Sequence, residues 1–193
     1  EATHRGHRTV IVDFHTHIYP AWLREKREEY LERDSSFREL FGNPRAKLAT
    51  AEELVRAMDD HGVDRSVVMG VGWSDHGLAR QVNDYIIDSV ARYPKRLVGF
   101  AGVNPAWGPR AAREAERCAV AGLRGIGELH PDLQGYDLGD ESTMTPLAEV
   151  ARERGMLVFL DIQIGWSDAL TEVRRRRDFL AEPFVHVALD PEF

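Results

Sequence analysis

The stretch Thr9-Val10-Ile11-Val12-Asp13-Phe14-His15-Thr16-His17 decides how the rest of the chain is read. Its apolar, β-branched run favours a strand, and it ends in two histidines one residue apart. Side chains along a strand alternate with period two, so Asp13, His15 and His17 are expected on one face. Two imidazoles side by side at the end of a strand make half of a metal site, because neutral imidazole ligates zinc, iron and manganese. On an exposed loop the same pair would say little. Here it closes a strand, read as Thr9 to Phe14, that looks buried on both faces.

Outward from that strand the chain alternates short apolar runs with amphipathic segments. A charged segment, Ala21 to Leu48, carries Trp22, Tyr30, Phe37, Leu40 and Phe41, with a break at Gly42-Asn43-Pro44. It is too long for a plain strand-to-helix loop. It reads as a helical insertion, placed at about 19–48, that could form a lid. Thr50-Ala51-Glu52-Glu53 is a capping box, and the helix it opens ends near His61-Gly62. Strands follow at Ser66 to Val71, Leu97 to Val103, Leu123 to Leu129, Met156 to Ile162 and Phe184 to Leu189. Helices separate them at Gly77 to Tyr93, Arg110 to Ala121, Pro146 to Arg154 and Asp168 to Leu180. Strands alternating with helices imply a parallel sheet with right-handed crossovers. About five βα units and a sixth strand therefore predict one α/β domain over residues 1–193, of the TIM-type (β/α) barrel kind. A full barrel has eight strands and about 250 residues, so the predicted barrel is incomplete.

Composition narrows the function classes. The chain has 193 residues, a formal net charge of -7 and 43% hydrophobic residues. An acidic balance argues against a nucleic-acid polyanion as partner. No apolar stretch reaches transmembrane length, and the polar start, with His4 and His7 read as tail residues, lacks a signal-peptide apolar region. Cys118 is the one cysteine, so no internal disulfide can form. A cytoplasmic protein with a small-molecule substrate is expected. Open sheet edges at strands one and six favour homo-oligomers.

In such a barrel the chemistry sits at the C-terminal ends of the strands. Collected there are His15 and His17, Trp73, Asn104, Glu128 and His130, Asp161 and Gln163, with His186 within strand six and Asp190 and Glu192 at its end. Glu128, after Gly125-Ile126-Gly127, is read as a ligand or acid/base, or else as a cap on a neighbouring helix. His130 binds substrate or caps. Asp161 sits among Leu, Val, Phe and Ile, where a carboxylate is costly unless it meets a cation or donors. His186 is read as a core residue or a ligand, Asn104 as a cap, and Cys118 as packing. Glu128, His130 and Asp161 are the candidate catalytic residues. His15, His17, Glu128 and Asp161 are the candidate ligands of a divalent metal, expected to be zinc.

Three strings carry a family resemblance: Val12-Asp13-Phe14-His15-Thr16-His17-Ile18-Tyr19-Pro20, Leu97-Val98-Gly99-Phe100-Ala101-Gly102-Val103-Asn104-Pro105, and Gly125-Ile126-Gly127-Glu128-Leu129-His130-Pro131 with the residues up to Tyr136. Together they resemble the amidohydrolase-related metal-dependent hydrolases, over roughly residues 9–160. That branch includes aminocarboxymuconate-semialdehyde decarboxylase and related aromatic-acid decarboxylases. The resemblance implies a TIM-type barrel, a metal on His15 and His17, and water activated by the metal. It also implies further histidines at strands five and six and an aspartate at strand eight. Glu128 matches a position that bridges two metals in some relatives. The chain departs from the pattern where Leu157-Val158-Phe159-Leu160 leads to Asp161 instead of a histidine, and strands seven and eight do not appear.

The first expectation is therefore a metal-dependent hydrolase acting on a small polar or aromatic-acid substrate. The alternatives are a metal-dependent non-oxidative decarboxylase and an incomplete or non-catalytic barrel fragment. A histidinol-phosphatase-like phosphoesterase also begins with HxH, but normally shows further histidines soon after the first strand, and residues 18–60 contain none.

Overall fold

The structure, a computed structural model, describes residues 9–163, 167–175 and 177–190, excluding the side chains at 159–163, 179 and 188–190. Six parallel strands form one sheet in chain order: β1 (Val12–His17), β2 (Arg65–Met69), β3 (Leu97–Ala101), β4 (Gly125–Ile126), β5 (Leu157–Gln163) and β6 (Val185–Asp190). The sheet curls into part of a TIM-like barrel, as the alternation of elements predicts. Among the described residues ten α-helices cover it: α1 (Ala21–Glu25), α2 (Arg27–Arg33), α3 (Ser35–Phe41), α4 (Ala51–His61), α5 (His76–Arg92), α6 (Pro109–Val120), α7 (Pro131–Gln134), α8 (Glu141–Arg154), α9 (Ala169–Arg175) and α10 (Arg177–Leu180).

Local chemistry explains several boundaries. The capping box opening α4 is formed: Glu53 N donates to Thr50 Oγ1 at 3.3 Å and Thr50 N to Glu53 Oε2 at 2.8 Å. Gly62 ends that helix at φ 69°, a left-handed conformation that costs glycine little. Helix α8 starts five residues before the expected Pro146, because Asp140 caps the turn ahead of it through Ser142 N at 3.0 Å. The loop expected from His130 to Ser142 contains the single-turn helix α7.

The helix-facing side of the sheet carries most of the core. Val68, Leu97 and Ala101 pack with Leu78, Val82 and Ile86 of α5 and with Met58 of α4. The opposite, enclosed side has a smaller cluster of Val67, Met69 and Phe100. The charged insertion joins the larger core. Leu23 and Phe37 are fully buried, and Phe37 stacks on Trp73 with ring centroids 5.7 Å apart. Buried Asp34 fastens the insertion to the loop after β2. Its carboxylate accepts from Phe37 N at 2.8 Å, Ser74 N at 2.9 Å and Asp75 N at 2.7 Å. Arg33 meets Asp75 at 2.8 Å beside it.

Strand β1 departs from its expected form. It runs to His17, and it is not buried on both faces: Val10, Ile11, Val12 and Phe14 are all substantially exposed. The physical reason is position, since β1 lies at the sheet edge with β2 as its one described neighbour. Its pairing with β2 also shifts between Asp13 and Thr16, where three steps along β1 match two along β2. Such a bulge re-aims the side chains around it.

Candidate metal centre

The end of β1 places His15 and His17 side by side, with ring centroids 4.9 Å apart and planes at 63°. Strand β4 is only two residues long, so Glu128 stands just beyond its end. Gly125 lets the Phe100 ring pack against β4: a Cβ there would sit 2.5 Å from the ring. Glu128 reaches both imidazoles, with Oε1 4.0 Å from His15 Nε2 and Oε2 4.0 Å from His17 Nε2. One donor atom from each residue lies within 4.8 Å of the others, and among the described residues this is the one such group of three.

The electrostatics favour a cation between them. Burial, and after it the neighbouring His15, lower the His17 pKa to about 4 against the opposing effect of the Gly70 and Met69 carbonyls. His17 is thus a neutral, lone-pair-bearing imidazole at neutral pH. Its Nδ1 is buried and makes no hydrogen bond of ordinary geometry, although those two carbonyls lie close enough to act on it. A ligating histidine commonly turns its second nitrogen toward such a backbone carbonyl. Two imidazole nitrogens and a carboxylate suit manganese, iron or zinc, whose bonds to such donors are roughly 2.0–2.2 Å. The residues present fit a single divalent cation.

The other expected site residues fall elsewhere. Asp13 does not join the histidines; its Oδ1 accepts from His15 N at 3.4 Å. The bulge breaks the period-two argument that grouped them. His130 lies on the same rim, half-buried, two residues past Glu128 but outside the three-residue group. Asp161 belongs to β5, paired with Ala188, and its side chain lies outside the described residues, as do those of Gln163 and Asp190 and all of His4, His7 and Glu192. His186 is exposed within β6 and is not in the group. Trp73 is a core residue, packed against Tyr19 and Phe37. Asn104 is the cap expected of it, accepting from Ala106 N at 2.9 Å.

Sequence reading missed Gln134. Its buried side chain donates to Trp73 O at 3.1 Å and Val103 O at 3.0 Å and accepts from His130 N at 2.8 Å. Asn104 Nδ2 adds a bond to its carbonyl at 3.1 Å. One glutamine therefore ties together the loops after β2, β3 and β4 at the rim of the site. The available signal was Pro131 followed by Gly135, which delimits one helical turn and sets Gln134 four residues after His130.

The family model described as Amidohydrolase matches residues 12–186. The chain is 38% identical over 107 residues to gamma-resorcylate decarboxylase of a Polaromonas species, covering 51% of this chain and 32% of that protein. It is 28% identical over 177 residues to 2-amino-3-carboxymuconate-6-semialdehyde decarboxylase of Dictyostelium discoideum, covering 79% of this chain and 49% of the relative. The chain thus spans about half or less of the length of these curated relatives. Among solved structures it superimposes on 5-carboxyvanillate decarboxylase of Novosphingobium aromaticivorans with a TM-score of 0.67 at 18% identity, over 93% of this chain and 64% of that one. That structure contains manganese and 4-hydroxy-3-methoxy-5-nitrobenzoic acid. No described helix is long and apolar enough to cross a membrane.

Proposed function

The chain belongs to the amidohydrolase family, and from that premise we propose that it carries the metal-binding part of a metal-dependent, non-oxidative decarboxylase for a small aromatic or unsaturated carboxylic acid. The observation that carries the reading is the approach of Glu128 to both His15 and His17 at the C-terminal rim of the sheet. Hydrolysis, the first expectation from sequence, gives way because both curated relatives are decarboxylases. Manganese takes precedence over zinc, since the superimposed relative holds manganese.

In this reading His15, His17 and Glu128 hold the cation, with Asp161 retained as a fourth candidate. A bound divalent cation supplies positive charge to steady a carboxylate or phenolate oxygen of the acid. The desolvated His17 keeps its lone pair free of a proton at working pH. Loss of carbon dioxide leaves an electron pair on carbon that must take up a proton, and we assign that delivery to the imidazole of His130. Gln134 fixes where that histidine stands on the rim, so proton donor and substrate meet in a set geometry.

The test has two parts. First, manganese content after equilibrium dialysis is compared between the wild-type chain and a His15→Ala, His17→Ala double variant. About one ion per wild-type chain and almost none in the variant is expected; equal content in both removes the reading. Second, the manganese-loaded protein is incubated with gamma-resorcylate and with 5-carboxyvanillate, and released carbon dioxide is measured beside ester and amide hydrolysis. Hydrolysis without carbon dioxide would return the chain to the hydrolase alternative.

A further inference from the structure

On the outer wall of the sheet, α5 and α6 enclose a groove of about 340 Å³ lined by His76, Arg80, Arg110, Arg113, Glu114 and Arg117. The spacing is helical on both sides: His76 and Arg80 stand four apart on α5, and Arg110, Arg113 and Arg117 share a face of α6. A chain with a net charge of -7 thus gathers four guanidinium groups around one small concavity.

The two nearby carboxylates do not balance them. Glu114 is buried beneath the groove, where Asn83 Nδ2 donates to it at 2.9 Å, Arg117 Nε at 2.8 Å and Arg117 Nη2 at 2.7 Å. Asp84 also meets Arg117, at 2.7 Å. Arg117 pairs with both carboxylates, and the four guanidinium groups around the groove still outnumber them by two. Arg80, Arg110 and Arg113 are exposed, and among the described residues none of their side chains makes a hydrogen bond or ion pair. The floor under them is built: Asn83 bonds Gly102 N at 2.8 Å and Gly102 O at 3.0 Å, which ties Glu114 to the loop after β3. The His76 ring stands 5.0 Å from Trp107, edge to face, at one end.

We propose that this groove is an anion site for a phosphate-bearing small molecule, separate from the rim that carries His15, His17 and Glu128. Guanidinium forks match phosphate oxygens in pairs. Three unpaired forks suit a ligand with more than one negative charge, and the groove is of small-molecule size. The shared chemistry is a monophosphate or a diphosphate group.

The test is calorimetric titration of the full chain with inorganic phosphate and with pyrophosphate, at 0.15 M salt and without divalent metal. Binding near one equivalent is expected, with the tighter of the two probes naming the ligand as mono- or diphosphate. An Arg110→Gln, Arg113→Gln double variant changes only exposed positions and is expected to bind at least tenfold more weakly. An Arg174→Gln, Arg175→Gln double variant, with two exposed arginines of α9 removed, and the His15→Ala, His17→Ala variant are both expected to bind as the wild type does. The proposal is overturned if neither probe binds, if the α9 variant loses as much affinity as the α6 variant, or if benzoate binds the groove as well as phosphate does. It is equally overturned if the arginines serve a second copy of the chain: the wild type would then self-associate in sedimentation, and the α6 variant would not, with no phosphate binding in either.

Discussion

Strands β1 and β3 are written in the same alphabet and live in different surroundings. In β1, Val12 is 46% and Phe14 37% exposed, whereas in β3 Leu97 is 2% and Phe100 1% exposed. Apolar, strand-favouring residues promote extended backbone in both, but burial depends on how many neighbours the strand has. β3 lies between β2 and β4, while β1 has β2 alone among the described strands. The histidines that define the candidate metal centre are on the under-packed strand. Their partner Glu128 follows β4, in the better-packed part of the sheet. The site therefore joins a firm wall to a loosely covered edge, and a cation there would act as the clasp between them.

The sharpest test of this contrast is to remove the same side chain from each strand. Phe100→Ala is expected to cost about 3–5 kcal/mol, because a fully buried ring leaves both a transfer loss and a cavity. Phe14→Ala is expected to cost roughly 1 kcal/mol, because much of its ring already meets water. Urea denaturation of the two variants measures the difference. Equal costs would mean that β1 is covered as well as β3 is, and the contrast would be lost.

Next in size is the clasp. A ligand bound only by the folded state stabilises it by about 2.7 kcal/mol at a free concentration one hundred times its Kd. Manganese is expected to raise the wild-type melting temperature accordingly and to leave the His15→Ala, His17→Ala variant unmoved. The same addition should slow hydrogen exchange at β1 more than at β3. If protection rises only in β3, the edge strand is not what the cation holds.

The rim gives a third, smaller effect. Gln134→Ala strands the carbonyls of Trp73 and Val103 and the amide of His130, and an unsatisfied buried polar group costs about 1–3 kcal/mol. Glutamate at the same position keeps the acceptor for His130 N but sets a buried carboxylate against the carbonyls of Trp73 and Val103, so Gln134→Glu is expected to be at least as destabilising as alanine in chemical denaturation at neutral pH. A neutral Gln134→Ala would show that the three loops hold their places without the glutamine.

Much of this arrangement was legible because it is local. The capping box at Thr50 and Glu53, the alternation of strand and helix, and the HxH pair are short-range patterns with one dominant structural outcome. The parts that escaped are set by partners distant in the chain. Nothing in Thr9 to His17 says whether a second neighbour covers the strand, nor that an extra residue between Asp13 and Thr16 takes Asp13 away from the histidines. Asp34 looks like one more charge on a charged helix until Ser74 and Asp75, forty residues on, present their amides to it. Trp73 looked like a rim residue because it ends a strand, yet the insertion folds over it.

The smallest effect concerns the well-packed side and comes from pH. Burial alone would raise the Glu114 pKa, but the hydrogen bonds from Arg117 and Asn83 outweigh it and hold the carboxyl below its ordinary value of 4.5. A carboxylate whose folded pKa is depressed adds stability that is present above the unfolded value and is lost as pH falls through the folded one. Acid should therefore loosen the contact between α6 and the loop after β3 below about pH 4.5, while stability between pH 6 and 8 stays flat as far as this group is concerned. Glu114→Gln lowers stability at neutral pH by removing the ion pair with Arg117. It should also make the urea midpoint less steep between pH 5 and 3 than in the wild type. A variant as acid-sensitive as the wild type would place the acid dependence in other carboxylates, and would leave the firmness of this wall resting on its apolar contacts alone.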